Sequence, residues 1–506
     1  MVNTRKFNNR SSFKSMVMYG SLPGRPSRWK LSLIGTIIMT MAGCTALPSR
    51  LDSSSGDSSV TGKWHATLPE GAPLEDPGLW WRQFDDPLLL SLLEAAQAAS
   101  STIAEAGARI ADARVQWVSD GAVLIPSVEV NSSSVRGRVD TNEPTGTVSS
   151  IGLMSSWELD LFGGNRAGLK ASRSRLASSE ANWHAAKIAI AAEVATQYSR
   201  LRACEARLEQ VTQDAQSRLH TAHLTGLVSR AGLAAPIIYQ QAKASAAQGE
   251  TLRVQQEEQC DLWLKMLVSL SGMDEVALRQ SLKADSGTLP RPAAIQVPVI
   301  PAKVLAQRPD VRAAEQDVIA AGADVVQADA RRLPRISLSG SIGFQQIGMG
   351  GMRTDGRVWQ IGPVAISMPL FDGGQGRANA DAARIRQQAV RTTYAAVIRE
   401  AIREVESALV ELDGSSKRKE SAQTSVDGFS HAYLSWQSMY KAGMASLLEL
   451  EDARRSKAEA QRAFIDAEEQ QVLAWISLYR ALGGGWKVEQ MQYTLASESE
   501  PVEAEK

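Results

Sequence analysis

Four stretches of the chain alternate between apolar and polar residues, which is the pattern of strands with one apolar face. The second stretch has this pattern around Trp157. In the third stretch the apolar or small positions are two residues apart; they are Ile336, Leu338, Gly340, Ile342 and Phe344. We therefore predict strands over residues 126–136, 148–161, 334–347 and 358–370.

A long segment without proline follows each pair of strands. These segments are rich in alanine, leucine, glutamate, arginine and glutamine, which favour helix, and they predict helices over residues 164–228 and 375–441. At a rise of 1.5 Å per residue, each would be about 100 Å long. Two shorter helices in each half match the long one in total length, and they are predicted over residues 88–118, 236–271, 304–332 and 446–482.

Landmark residues recur in the same order about 210 residues apart. At offsets of 208 to 211 residues, the pairs are Pro126 and Pro334, Phe162 and Phe371, Gly232 and Gly443, and Gly272 and Gly483. Coincidence among alanine-rich helices is the alternative explanation, but a constant order favours an internal repeat. We predict two units over residues 88–285 and 286–485, each with a helix, two strands, a long helix and a helix. An extended segment, residues 44–87, precedes the units, and a tail, residues 486–506, follows them.

The four strands are too few to form a closed structure within one chain. About eight strands are needed to enclose even packed side chains. In lipid every backbone group needs a hydrogen-bond partner, which excludes open sheet edges. The same alternation also fits a half-exposed sheet in water. If the strands cross a membrane, several chains must share one barrel, and the pattern alone does not determine their number.

The N-terminal residues resemble an export signal. Residues 1–43 contain seven lysines and arginines and no acid, and their apolar run, residues 31–41, is shorter than the roughly 20 residues that span a bilayer. Met41-Ala42-Gly43-Cys44 resembles the lipobox of bacterial lipoproteins, in which the cysteine is lipidated, with palmitate as an expected acyl chain. Thr45 follows instead of aspartate, which implies the outer membrane as the destination.

The composition argues against several classes of function. Removing the seven basic residues of the export signal reduces 55 lysines and arginines to 48, against 55 acids, so the basic surface typical of nucleic-acid binding is absent. No nucleophile elbow, phosphate-binding loop or zinc-binding cysteine set occurs. His220 and His223 are three residues apart but have no third ligand nearby. We predict no enzyme activity, no metal and no cofactor.

Five motifs in a fixed order resemble a known family. They are Trp80-Trp81-Arg82-Gln83-Phe84-Asp85-Asp86-Pro87, Ser156-Trp157-Glu158-Leu159-Asp160-Leu161-Phe162-Gly163, Gln307-Arg308-Pro309-Asp310-Val311-Arg312, Met368-Pro369-Leu370-Phe371-Asp372-Gly373-Gly374 and Tyr479-Arg480-Ala481-Leu482-Gly483-Gly484-Gly485-Trp486. Over about residues 75–487 the chain resembles the outer-membrane efflux proteins of the TolC type, specifically the NodT-like (OprM-like) lipoprotein branch.

The resemblance implies a membrane protein with both α and β structure. Three copies would form a 12-stranded barrel in the outer membrane, continuous with a barrel of 12 helices that crosses the periplasm. The implied partners are an inner-membrane pump of the resistance-nodulation-division (RND) class and a periplasmic adaptor, or membrane fusion protein. Antibiotics or other small toxic compounds would leave through the interior without chemical change. The alternatives are a type I-like protein secretion duct and a periplasmic coiled-coil scaffold or adaptor.

The turns between paired helices are the candidate functional ends. Gly232 and Gly443 suit turns that need a positive φ. The resemblance implies that these tips close the duct at rest and meet the adaptor; the tip residues are Gly232, Leu233, Tyr440, Gly443 and Met444. A purely structural turn would need the same glycines.

Acidic residues follow the second tip but not the first. Glu449 and Asp452 come six and nine residues after Gly443, and they match acidic positions at the family's periplasmic entrance. Repeated around an axis, such carboxylates form a ring that attracts cations and raises its own pKa values. A solvated helix face is the alternative explanation. Ala445 stands where the family commonly has an arginine of its latch.

Cys204 and Cys260 lie on neighbouring antiparallel helices, at nearly the same distance from the first tip. The periplasm is oxidising, so we predict a disulfide between them. Equal height does not determine whether two side chains face each other, and a bond requires Cα atoms within about 7 Å. Two buried thiols are the alternative.

Overall fold

The computed structural model describes residues 64–69, 72–73, 77–138, 145–291, 295–296 and 301–484. The predicted export signal, the lipidation site Cys44 and the tail from residue 486 lie outside the described residues.

The helices of the first half differ from the prediction at one point. Residues 88–118 were expected to be one helix, but the chain breaks at Ser100. This residue has an extended backbone with ψ of 116°, and its Oγ accepts a hydrogen bond of 3.3 Å from the backbone N–H of Ile103. A serine in this position caps a new helix and so ends the preceding one. The helices are α1 (Pro87–Ala99), α2 (Ser101–Ala122), α3 (Gly164–Arg230), α4 (Pro236–Ser271) and α5 (Glu275–Leu282).

The second half has a similar series with a break before Pro309. Arg308 has an extended backbone with ψ of 125°, because the helical conformation is disfavoured before proline. The predicted helix over residues 304–332 is therefore two helices. The second-half helices are α6 (Pro301–Ala306), α7 (Pro309–Ala330), α8 (Gln375–Lys441) and α9 (Leu447–Ala481).

Two long helical hairpins dominate the described structure. Hairpin 1 consists of α3 and α4, and hairpin 2 consists of α8 and α9. The long helices α3 and α8 have 67 residues each, which corresponds to about 100 Å. In the ranges that the structure covers, every helix is too short or too polar to cross a membrane.

The main sheet has four antiparallel strands in the order β2-β3-β5-β6. Its edge strands, β2 and β6, each pair on one side only. Gly350 and Gly351 connect β5 to β6 with φ of 58° and 87°, as a two-residue hairpin turn requires. The hairpin is therefore tighter than predicted, and β6 begins before residue 358. The strands are β1 (Ala72–Pro73), β2 (Ser127–Gly137), β3 (Gly146–Leu159), β4 (Ile295–Gln296), β5 (Arg335–Met349) and β6 (Met352–Ser367), and β1 and β4 form a separate parallel pair.

The register of the main sheet separates apolar from polar residues. Leu153, Ile342 and Trp359 are cross-strand partners in one row, and they lie on the face predicted to be apolar. Ser156 and Ser339 are partners in a row on the opposite face. Many of the apolar side chains are exposed in the single chain; Trp359, for example, is 72% exposed. The sheet therefore presents an apolar face without a partner.

The largest apolar core lies where the N-terminal segment meets both hairpins. The Trp81 ring packs on Tyr479 of α9 with centroids 4.5 Å apart, and the Trp80 ring lies 5.3 Å from the same side chain. Tyr198 of α3 is fully buried and donates a hydrogen bond of 2.6 Å to Asp86. The tryptophan motif of the sequence thus anchors the N-terminal segment on α3 and α9.

Candidate functional site at the hairpin tips

Both hairpin tips have the same backbone geometry. Gly232 and Gly443 have φ of 72° and 74°, in the left-handed region that favours glycine. The backbone N–H of Leu233 donates to the carbonyl of Val228 at 3.0 Å, and the N–H of Met444 donates to that of Met439 at 2.9 Å. These bonds close each long helix in a Schellman motif. The predicted turn glycines therefore stand where the backbone requires them.

Apolar side chains are exposed around both tips. Leu233 is 80% exposed, Met444 is 70% exposed and Leu448 is 67% exposed. Tyr440, one of the predicted tip residues, is 37% exposed. An apolar patch of this kind on the end of a rod is typical of a protein-binding surface.

Glu449 has a structural partner within its own chain. Its carboxylate accepts hydrogen bonds of 2.7 Å from the backbone N–H and the hydroxyl of Ser446, and its own N–H donates to that hydroxyl at 3.3 Å. This capping box starts α9. The hydrogen bonds that Ser446 donates, first from its backbone N–H and second from its hydroxyl, lower the pKa of Glu449 below its usual value. The ring effect expected from the sequence would act in the opposite direction and requires further copies of the chain.

Asp452 lies one turn further along α9 and is exposed. It forms an ion pair with Arg455, three residues later. Ala445, which stands where the family commonly has an arginine, cannot pair with either carboxylate. Arg455 is instead the cation beside Asp452. The structure thus holds Glu449 and Asp452 near the tip of hairpin 2, each with a separate partner.

A buried ionic cluster near the tips was not predicted from the sequence. Arg454 of α9 is 9% exposed and pairs with Glu451 on its own helix and with Asp214 of α3, at 3.7 Å from the latter. Thr221 of α3 donates a hydrogen bond of 2.7 Å to Glu451. Arg218 pairs with Asp214 at 2.7 Å. The cluster therefore joins hairpin 1 to hairpin 2.

Aspartates cap both passages from strand to long helix. Asp160 accepts bonds from the backbone N–H groups of Asn165 and Arg166 at 3.1 and 2.9 Å. Asp372 accepts bonds from those of Gly374 and Gly376 at 2.8 and 2.7 Å. Burial raises the pKa of Asp160, but its backbone hydrogen bonds and Arg166 outweigh burial and lower it. Both aspartates belong to the motifs that resemble the family, but their capping role was not predicted from the sequence.

The structure bonds Cys204 to Cys260, with Cα atoms 5.5 Å apart. Cys204 is fully buried and Cys260 is 8% exposed. The bond joins α3 to α4 far from the tip, beside the main core. Formation of this bond in the cell stays a prediction.

His220 and His223 are the histidine pair considered as metal ligands in the sequence. Within the described ranges, no group of three or more histidine, cysteine, aspartate or glutamate side chains could hold a metal ion. The tips offer apolar contact, carboxylates and ion pairs.

Comparison with known proteins gives one consistent family. Residues 92–272 and 300–484 match the model of a family described as "Outer membrane efflux protein". The outer membrane protein OprJ of Pseudomonas aeruginosa is 30% identical over 466 residues, 89% of this chain and 95% of OprJ. The solvent efflux pump outer membrane protein SrpC of Pseudomonas putida is 29% identical over 418 residues, 80% of this chain and 87% of SrpC.

Solved structures agree with these matches. The outer-membrane channel OprN is 28% identical, with a TM-score of 0.72 over 84% of this chain and 95% of OprN. The open-state MtrE outer membrane channel of Neisseria gonorrhoeae is 26% identical, with a TM-score of 0.69 over 85% of this chain and 97% of MtrE. The family indicated by the motifs is thus confirmed, and the chain belongs to the outer membrane efflux protein family.

Proposed function

We propose that the chain is the outer-membrane channel of a tripartite RND-type efflux pump, a passive duct for small toxic compounds. Its relatives include a solvent efflux pump protein and a pyoverdine export protein. The observation that carries the proposal is the main sheet, which has an exposed apolar face and continues into helices of about 100 Å. Such a sheet suits an outer membrane, and such helices suit a path across the periplasm.

Several copies must complete the sheet. The edges of β2 and β6 carry unpaired backbone groups, which lipid does not tolerate. Three copies, the number that the resemblance implies, would bring 12 strands together by pairing β6 of one copy with β2 of the next. The equal lengths of α3 and α8, with the same order of elements around them, support the two-unit organisation of residues 88–285 and 286–485.

The proposal assigns a role to each end of the chain. Lipidated Cys44 would hold the segment of residues 44–87 at the outer membrane. The tips of hairpins 1 and 2 would point towards the inner membrane. There the exposed Leu233 and Met444 would meet the periplasmic adaptor, which links the channel to the pump.

Membrane insertion tests the proposal directly. Cys44→Ser removes only the lipid anchor, so we expect this variant still to need detergent for extraction and still to form conducting pores in planar bilayers. Release without detergent, together with no conductance from either form, would contradict the proposal and favour a periplasmic scaffold. Complementation of a deletion strain separates the remaining alternative, because a protein secretion duct would not restore drug resistance.

Neutralising the acids of hairpin 2 should open the periplasmic entrance. We expect Glu449→Gln with Asp452→Asn to raise single-channel conductance and weaken cation preference, because a ring of carboxylates retains the cations that hold the entrance closed. Glutamine can replace glutamate in a capping box, so the start of α9 should stay intact. The measurement is single-channel recording in planar bilayers.

Ionic strength provides the control for this prediction. Exposed charges are screened by concentrated salt, so the difference between the wild type and the double variant should shrink as salt rises. Unchanged conductance and unchanged cation preference at low salt would refute the ring.

A further inference from the structure

Two arginines share one row of the main sheet. Arg136 of β2 is the cross-strand partner of Thr147, which pairs with Gly348, which in turn pairs with Arg353 of β6. Alternation places this row on the same face as Leu153, Ile342 and Trp359. Both edges of the apolar face therefore carry an arginine near the hairpin end of the strands.

A third arginine completes an ordered change of polarity along β6. Trp359 and Ile361 lie on the apolar face and are 72% and 81% exposed. Towards the hairpin, the same face of β6 carries Arg357, then Asp355 and then Arg353. An apolar band that ends in an aromatic side chain and then in arginines matches the boundary between hydrocarbon and headgroups.

The outer-end arginines, defined as Arg136, Arg353 and Arg357, are free to bind a ligand. All three are exposed, and within the described ranges no ion pair or hydrogen bond engages their side chains. Asp355 lies on the same face, and no ion pair joins it to either neighbouring arginine. The group therefore has a net charge of +2 per chain, three arginines less one aspartate.

Neighbouring copies would concentrate this charge. If β6 of one copy pairs with β2 of the next, Arg353 and Arg136 come from the two strands that meet. Arg353 and Arg357 are four residues apart on one strand, or about 13 Å. Guanidinium groups bind phosphate through paired N–H donors, so a surface that carries several phosphates is the complementary partner.

We infer that the outer-end arginines bind phosphate groups of the glycolipid in the outer leaflet of the outer membrane. The inference rests on the proposed function, which places the helices in the periplasm and hence the Gly350–Gly351 hairpin at the cell surface. The apolar band below the arginines contacts the acyl chains, and the arginines contact the phosphates at the headgroup. The site lies on the outer surface of the duct and is separate from the hairpin tips.

Lipid retention tests the inference. Wild-type protein is inserted into phosphatidylcholine bilayers that contain either bisphosphorylated or dephosphorylated lipid A, and the lipid A retained per chain is measured after mild extraction. We expect selective retention of the bisphosphorylated form. The triple variant Arg136→Gln, Arg353→Gln, Arg357→Gln should lose this selectivity, because each arginine removed should lower the retention of the bisphosphorylated form by about fivefold. Concentrated salt should weaken the selectivity of the wild type.

Two control variants make the result specific. Arg335 begins β5, at the end of the sheet away from the Gly350–Gly351 hairpin and on the face opposite the outer-end arginines, and it is exposed. Arg335→Gln should therefore leave the retention of lipid A unchanged. Replacing the three outer-end arginines by lysine should preserve part of the preference, because the charge remains. Equal loss in the Arg335→Gln variant and the triple variant would overturn the inference.

The same samples separate this inference from the proposed function. Wild-type protein that fails to insert or conduct contradicts the channel itself. Protein that inserts and conducts, but retains both forms of lipid A equally, contradicts only the phosphate site.

Discussion

Replacing Arg454 by alanine should destabilise the protein by about 3–5 kcal/mol, the usual cost of leaving a buried charge without its partner. Arg454 is 9% exposed and lies between Glu451 of α9 and Asp214 of α3. Without its guanidinium, Glu451 would lose its arginine and Asp214 would keep only Arg218, in a site with little water. We also expect hairpin 2 to separate from hairpin 1 near the tips. The free energy of unfolding can be measured by denaturant titration of the detergent-solubilised protein.

The neighbouring Arg455 provides a matched control for this experiment. Arg455 also pairs with an acid three residues away, but the side chains of Arg455 and Asp452 are 52% and 63% exposed. Exposed ion pairs contribute at most about 1 kcal/mol, so Arg455→Ala should have a small effect. Comparable losses for Arg454→Ala and Arg455→Ala would show that burial of the cluster does not matter. Glu451→Gln added to Arg454→Ala should recover part of the loss, because Glu451 is the carboxylate that loses its arginine, whereas Asp214 keeps Arg218.

The helices could be predicted well where local chemistry determines them. Hairpin 1's shorter helix and the long helix of hairpin 2 have the predicted bounds, residues 236–271 and 375–441. Pro236 suits the first turn of a helix, and glycine at each tip ends the long helix. The two missed breaks have local causes as well, since Ser100 is a cap and Pro309 disfavours helix in the residue before it. They were missed because apolar periodicity continues across both.

The ionic cluster could not be predicted in the same way. Asp214 with Arg218, and Glu451 with Arg454, are recognisable as pairs on one helix, but 240 residues separate Asp214 from Arg454. Only the packing of α9 on α3 brings them together. The row that contains Arg136 and Arg353 could not be predicted either, because it depends on the register across four strands. Strand alternation predicts the face of a residue, but pairing determines its neighbours.

The two helices within each hairpin are linked differently at the same distance from the tip. Cys204 and Cys260 each lie 28 residues from Gly232, about 42 Å along the helices. At nearly the same distance from Gly443, hairpin 2 has a hydrogen bond of 3.1 Å between Gln471 and Ser416. Hairpin 1 thus has a covalent bond where hairpin 2 has only non-covalent polar contacts, which include a hydrogen bond of 2.9 Å from Arg418 to Gln470. We therefore predict that hairpin 1 is the more rigid support for the tips.

Loss of the disulfide should therefore destabilise hairpin 1 selectively. We expect Cys204→Ala with Cys260→Ala to lower the free energy of unfolding by about 2–5 kcal/mol, because the bond restricts the unfolded chain over a sequence separation of 56 residues. Chemical reduction of the wild type should give a similar loss, which separates the bond from the packing of the sulfur atoms. Limited proteolysis should show faster cleavage in hairpin 1 than in hairpin 2. Two free thiols on Cys204 and Cys260 in denatured, unreduced wild-type protein would refute the bond and leave the hairpins equal in this respect.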